Sequence, residues 1–114
     1  MVDFTKRLAK KITDKPLDPL KIYDKLDRAS DKGPLRPVQQ ALLTEWYGKH
    51  RNERDLILKL NTGQGKTLIG LLMLQSKLNE GIGPALYLCP NKFLVNQTYN
   101  EAIQFGINCV LTED

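Results

Sequence analysis

The apolar residues of this chain follow two kinds of spacing, and each kind predicts a different element. Helical spacing predicts five helices: residues 4–13, one beginning at Pro19, one from about Pro37 to Lys49, one from about Gly65 to Glu80, and 92–105. Near-continuous apolar runs at 55–60, 85–89 and 107–112 predict strands that are buried on both faces of a sheet. The order strand, helix, strand, helix, strand predicts right-handed crossovers and a parallel sheet, which is an α/β fold.

Capping residues mark the ends of several of these predicted helices. Asp18 and Pro19 form an N-cap and first-turn pair, and Pro90-Asn91 opens the last helix. Gly81 and Gly106 are placed to end the last two helices. Trp46 shares a helix face with leucines, so it is predicted to be a core anchor rather than a platform for base stacking.

The composition is that of an ordinary globular domain, with 41% hydrophobic and 26% charged residues. No apolar stretch approaches the roughly 18 residues of a membrane span, and the first residues carry no secretory pattern. We therefore expect no membrane partner and a cytoplasmic location. Cys89 and Cys109 fall in predicted buried strands, where apolar fillers in a reducing compartment are favoured over a disulfide or a metal site.

The net charge of +4 is not uniform along the chain. Residues 1–33 hold nine Lys and Arg against six Asp, residues 34–60 hold five basic against three acidic residues, and residues 61–114 hold three against four. A basic excess in the first half is compatible with a nucleic-acid partner. Alternating Asp and Lys is also typical of a solvated helix face, and that plainer interpretation is favoured.

The strongest chemical signal is a glycine-rich turn, Asn61-Thr62-Gly63-Gln64-Gly65-Lys66-Thr67, between an apolar run and a predicted helix. Glycines let several backbone N–H groups converge on one anion, and the helix adds its positive dipole end. Lys66 is placed to reach the β and γ phosphates of a nucleotide, and the Thr67 hydroxyl to bind Mg²⁺. A strand–turn–helix that reads Gly-Lys-Thr by chance is the plain alternative.

Three motifs resemble those of superfamily 2 helicases, over roughly residues 34–112. They are Thr62-Gly63-x-Gly65-Lys66-Thr67, Leu35-Arg36-Pro37-Val38-Gln39, and Leu88-Cys89-Pro90-Asn91-Lys92-Phe93-Leu94-Val95-Asn96-Gln97, which is similar to motif Ia. Val38 and Asn91 depart from the usual aromatic residue and Thr. The resemblance implies a partial first RecA-like lobe at 34–114, with a parallel sheet, after a helical extension at 1–33.

The same resemblance implies the cofactors ATP and Mg²⁺, with Lys66 and Thr67 taking part in catalysis. In such enzymes a Gln at the position of Gln39 hydrogen-bonds the adenine edge; Gln40 is the adjacent competitor. The residues assigned in this way to the nucleotide are Arg36, Gln39, Thr62, Gly63, Gln64, Gly65, Lys66, Thr67 and Leu68.

A nucleic-acid backbone is the partner implied by motif Ia, through Pro90, Asn91, Lys92 and Gln97. Backbone N–H groups at a helix start, the Asn91 amide and the Lys92 ammonium suit a phosphate chain without reading sequence. An ordinary helix cap is the alternative role for Asn91.

The acidic motif of these motors, four apolar residues and Asp-Glu, does not occur in the 114 residues, and Glu113-Asp114 has the reverse order. We therefore expect the chain alone to bind nucleotide weakly at most and to be nearly inactive in hydrolysis. The expected explanation is that it opens a longer motor, whose acidic motif and second lobe lie in the same polypeptide.

Two other functions remain open at this point. The turn also resembles the P-loop of SecA-like ATPases, which translocate polypeptides; stimulation by nucleic acid or by unfolded polypeptide would separate these classes. A short, non-catalytic nucleotide-binding module is the other alternative. A stable monomer that does not hydrolyse ATP would favour it.

Overall fold

The computed structural model describes residues 15–29, 32–59 and 65–111. This part of the chain contains four α-helices, α1 (Pro19–Lys25), α2 (Pro37–Glu45), α3 (Lys66–Asn79) and α4 (Lys92–Gln104). A π-helical segment, Trp46–His50, continues α2. The helices predicted from about Pro19, Pro37, Gly65 and residue 92 are therefore observed, whereas the one predicted at 4–13 lies outside the described residues.

Side chains cap the starts of α1 and α4 as their sequences predict. The Asp18 carboxylate accepts a hydrogen bond from the Leu20 N–H at 3.0 Å, and Pro19 fills the first helical position. The Asn91 side-chain carbonyl accepts from the Leu94 N–H at 2.9 Å. Each cap satisfies a backbone donor that has no partner within its helix.

Glycines with positive φ end α3 and α4, which confirms the predicted stops. Gly81 has φ 94° and Gly106 has φ 79°. After α3, the Ile82 N–H donates to the Lys77 carbonyl at 3.0 Å, a closing bond typical of this glycine-terminated helix end. At Gly106 a Cβ would lie 2.5 Å from the Asp27 carbonyl oxygen, so this glycine also permits a close approach to the segment after α1.

The predicted α/β fold with a parallel sheet is wrong for this structure. None of the described residues is in a strand, and no backbone hydrogen bond in the described part joins any two of the segments 55–59, 85–89 and 107–111. These segments are irregular and largely exposed: Ile57 is 87%, Leu88 80% and Val110 84% accessible. A strand requires a neighbouring ladder to satisfy its backbone, and these apolar runs have none here.

The two cysteines depart from their predicted burial for the same reason. Both belong to the segments expected to form the inner strands of a sheet. Cys89 is half-buried and lies 3.5 Å from the Thr98 hydroxyl, while Cys109 is exposed. Both are free thiols.

The core lies where the four helices meet. Helix α1 packs against α2 and α3, and α3 packs against α2 and α4. The buried side chains include Ile22, Leu43, Ile69, Leu72 and Ala102. Trp46 is 4% exposed, which confirms its predicted place in the interior. Helix-on-helix packing therefore buries the apolar stripes that the helical spacing predicted.

Polar contacts hold the C-terminal end of α3 in place. The Arg51 guanidinium donates to the Ser76 carbonyl at 3.0 Å and to the Glu80 carboxylate at 2.7 Å, and it also bonds the Ser76 hydroxyl. The Ser76 hydroxyl donates in turn to the Leu17 carbonyl. Ser76 is fully buried, so these bonds satisfy a hydroxyl that would otherwise destabilise the core.

No helix in the described ranges combines the length and the apolar character needed to cross a membrane.

Candidate functional site

The site begins at the N-terminus of α3. Gly65 precedes the helix with φ 73°, and Lys66, its first residue, is exposed. Thr67 is half-buried, while Leu68 is 5% exposed and packs in the core. This arrangement leaves the Lys66 ammonium in solvent beside the positive end of the helix. Three further predicted residues, Thr62, Gly63 and Gln64, lie outside the described residues.

Gln39 joins α2 to this glycine turn. Its side-chain Nε2 donates to the Gly65 carbonyl at 3.3 Å, although the two residues are 26 positions apart. Its Oε1 accepts from the Arg36 N–H at 2.9 Å, and the side chain is 4% exposed. Gln40 instead donates to the Leu35 carbonyl at 2.9 Å. The structure thus places Gln39, and not Gln40, beside the glycine turn.

Gly65 has no room for a side chain. A Cβ at this position would collide with the Gln39 amide nitrogen, and the positive φ already disfavours any residue other than glycine. The glycine therefore serves two purposes here. It curls the backbone into α3 and lets the Gln39 amide reach its carbonyl.

Tyr23 was not identified from the sequence as a site residue, yet it supports the segment before α2. Its ring is 3% exposed and its hydroxyl donates to the Gly33 carbonyl at 2.6 Å. The Arg28 guanidinium lies 4.1 Å from the ring centroid and donates to the same carbonyl at 3.4 Å. The only sequence signal was its position next to Ile22 in an amphipathic helix, which is typical of any core tyrosine.

A cavity of about 830 Å³ opens in front of Gln39 and Gly65. Residues of α4 line it together with Tyr23, Lys32, Gly33, Pro34 and Arg36. The volume is in the range of small-molecule sites, roughly 300–1,000 Å³. Of the α4 residues that line the cavity, the sequence predicted only Gln97 as a site residue, and it assigned Gln97 to nucleic acid.

The residues predicted to bind nucleic acid do not form a single cluster. Pro90, Asn91 and Lys92 are exposed at the start of α4, where the Asn91 carbonyl oxygen is used as the helix cap. The plainer role considered for Asn91 is therefore observed, and no described residue hydrogen-bonds its amide NH₂. Gln97 lies farther along α4, about 7.5 Å from Lys92 at 1.5 Å per residue, and lines the cavity.

No metal centre built from side chains is found in the described ranges, where no group of three or more His, Cys, Asp or Glu side chains could hold an ion.

Residues 36–113 match the sequence model of the DEAD/DEAH box helicases. The match covers more than half of the 114 residues, and the chain belongs to the DEAD/DEAH box helicase family. This membership establishes a helicase-type ATP-binding function and an ATP-dependent helicase as the class of the parent enzyme. Comparisons with curated proteins and with solved structures give no significant match.

Proposed function

We propose that this chain binds Mg²⁺·ATP at the start of α3 and is part of a nucleic-acid-dependent ATPase motor. The observation that supports this most directly is the hydrogen bond from Gln39 to the Gly65 carbonyl. It brings together the Leu-Arg-Pro-x-Gln element and the glycine turn, which are the two motifs expected to bind opposite ends of one nucleotide.

The phosphates bind at the N-terminus of α3. Gly63, Gln64 and Gly65 supply backbone N–H groups, and the Lys66 ammonium reaches the β and γ phosphates. The residues fit this role, since Gly65 has the positive φ of a phosphate-binding turn and Lys66 is exposed, with no ion pair to another described residue. The Thr67 hydroxyl would hold Mg²⁺, which when bound would supply positive charge beside the phosphates.

The adenine base of the nucleotide binds beside Gln39. An amide has two N–H donors and two acceptor lone pairs, and the bonds to Gly65 and Arg36 use one of each. The remaining donor and acceptor match the amine and ring nitrogen of an adenine edge. A guanine edge has the opposite pattern and would leave both groups unpaired, which is the basis of selectivity. Arg36, exposed at the wall of the same cavity, lies beside the bound nucleotide.

The nucleic-acid backbone contacts the start of α4. The Lys92 ammonium, the free Asn91 NH₂ and the first N–H groups of the helix offer positive potential to a phosphate. Membership of the DEAD/DEAH family favours nucleic acid over an unfolded polypeptide as the partner. Anisotropy titrations with labelled RNA, DNA and an unfolded polypeptide separate the two classes, and Lys92→Ala should weaken nucleic-acid binding alone.

Nucleotide binding is tested with Lys66→Ala. A charge-assisted bond to phosphate contributes about 1.5–3 kcal/mol, so the Kd for Mg²⁺·ATP should rise about tenfold to a hundredfold. Lys77→Ala is the matched control, because Lys77 belongs to the same helix at its other end, about 16 Å from Lys66 at 1.5 Å per residue. Equal ATP affinity in the Lys66→Ala variant and the parent chain would refute the proposed site.

Binding, rather than turnover, is the appropriate measurement for these residues. No apolar–Asp–Glu motif occurs in the sequence, so the water-positioning carboxylate would have to come from outside the 114 residues. Hydrolysis by this chain at a rate typical of helicases would therefore contradict the proposal that the chain binds nucleotide but lacks the water-positioning carboxylate.

A further inference from the structure

A short segment ahead of the glycine turn is exposed and has no regular secondary structure. It has the sequence Asp55-Leu56-Ile57-Leu58-Lys59, and we call it the pairing segment. All of its residues are exposed, and none of them makes a hydrogen bond or an ion pair with another described residue. A row of backbone N–H and C=O groups in this condition is a template for pairing with another strand.

The accessibility of the side chains alternates along the pairing segment. Ile57 is 87% accessible, whereas Leu56 and Leu58 are 37% and 39% accessible. Successive side chains of a strand point to opposite faces. When the segment pairs as a strand, Asp55 and Lys59 therefore share the outward face with Ile57, and the two partly covered leucines occupy the other face.

The charges of the pairing segment make it complementary to a second copy of itself. Antiparallel pairing centred on Ile57 places Asp55 of each copy opposite Lys59 of the other, which gives two pairs of opposite charge. Parallel pairing in register would place like charges directly opposite each other, and such pairs are destabilising. The charges therefore favour one orientation and one register of the two segments.

The neighbouring charges are compatible with this arrangement. Arg54 precedes Asp55, so in a strand its side chain would point to the opposite face. The Glu53 carboxylate already lies 3.0 Å from the His50 ring nitrogen. The other exposed apolar segments, 85–89 and 107–111, contain no charged residue, so they have no charge pattern that would select a register.

We infer that two copies of this chain associate through their pairing segments, as a twofold-symmetric antiparallel ladder with Ile57 at the axis. Each contact of such an interface occurs twice. A ladder of five residues is small, so the dimer should be weak and should depend on concentration. The inference goes beyond the proposed function and is independent of it, because no residue of the pairing segment is assigned to nucleotide or nucleic acid.

Sedimentation equilibrium of the full chain, from about 10 µM to about 1 mM, tests the inference. Lys59→Asp converts both pairs of opposite charge into pairs of carboxylates and should raise the dimer Kd at least about tenfold. Asp55→Lys/Lys59→Asp exchanges the two charges and restores both pairs in the same register. Its Kd should return to within about threefold of the parent value, and this recovery also shows that Lys59→Asp does not unfold the chain.

Arg54→Asp is the matched control, since Arg54 is exposed and its replacement changes the net charge by the same amount as Lys59→Asp. Its Kd should stay within about twofold of the parent value. A parent chain that remains monomeric to about 1 mM would overturn the inference. Equal Kd values for Lys59→Asp and Arg54→Asp would also overturn it, as would a double variant that dimerises no better than Lys59→Asp.

Discussion

Replacement of Gly65 by alanine tests the hydrogen bond from the Gln39 amide to the Gly65 carbonyl, on which the proposed site depends. Two costs should add in this variant. A residue other than glycine at φ 73° costs about 1–2 kcal/mol of stability. The new Cβ also displaces the Gln39 amide, which is 4% exposed and holds two hydrogen bonds. Leaving that buried amide unpaired costs about another 1–3 kcal/mol, for a total of about 2–5 kcal/mol.

Gly81→Ala provides the matched control. Gly81 also has positive φ, at 94°, but a Cβ there meets nothing within 4 Å, so this change isolates the backbone cost. The excess loss in Gly65→Ala is then the energy of the Gln39 contact. Urea unfolding of both variants gives the free energies, and calorimetry gives their ATP affinities.

A double-mutant cycle completes the test. In a chain that already carries Gln39→Ala, the Gly65→Ala change should cost no more than Gly81→Ala does. ATP affinity should fall in Gly65→Ala and stay unchanged in Gly81→Ala, because only the former disturbs the start of α3. Equal destabilisation by the two glycine changes in the parent chain would refute the reasoning.

Two further predictions concern the supports of the site. Tyr23→Phe removes the hydroxyl bonded to Gly33 and should cost about 1 kcal/mol in urea unfolding; Tyr47→Phe, whose hydroxyl has no hydrogen-bond partner among the described residues, should cost nothing. Arg51→Ala should cost about 3 kcal/mol, because it breaks the bonds to Ser76 and the Glu80 carboxylate. The exposed Arg54→Ala is its control, and similar unfolding midpoints for the two arginine variants would contradict the assigned role.

The helices could be predicted because their signals are local. Asp18 and Asn91 stand beside the backbone donors that they cap, and Gly81 and Gly106 have the backbone freedom that a helix stop requires. The predicted sheet was wrong because strand pairing depends on partners that are distant in the sequence. An apolar run specifies burial but not the neighbour that pairs with it, and the runs at 55–59 and 85–89 remain unpaired here.

Only part of the candidate site could be predicted from the sequence. Gln39 was chosen by its spacing from Arg36-Pro37, and it is the glutamine that contacts Gly65. Tyr23 carries no motif, and its importance depends on which elements pack around one cavity. Such long-range placement has no local signature in a single sequence.

The attachment of α1 sets a limit on how the protein can be shortened. Ile22 and Tyr23 are part of the same core as Leu72. On either side of α1, the Asn79 side chain donates to the Pro16 carbonyl at 2.8 Å and the Ala29 N–H donates to the Gln104 carbonyl at 2.8 Å. A recombinant form that starts at Pro34 would lose all of these, so a minimal nucleotide-binding version for crystallisation or ligand screening should begin before Pro16.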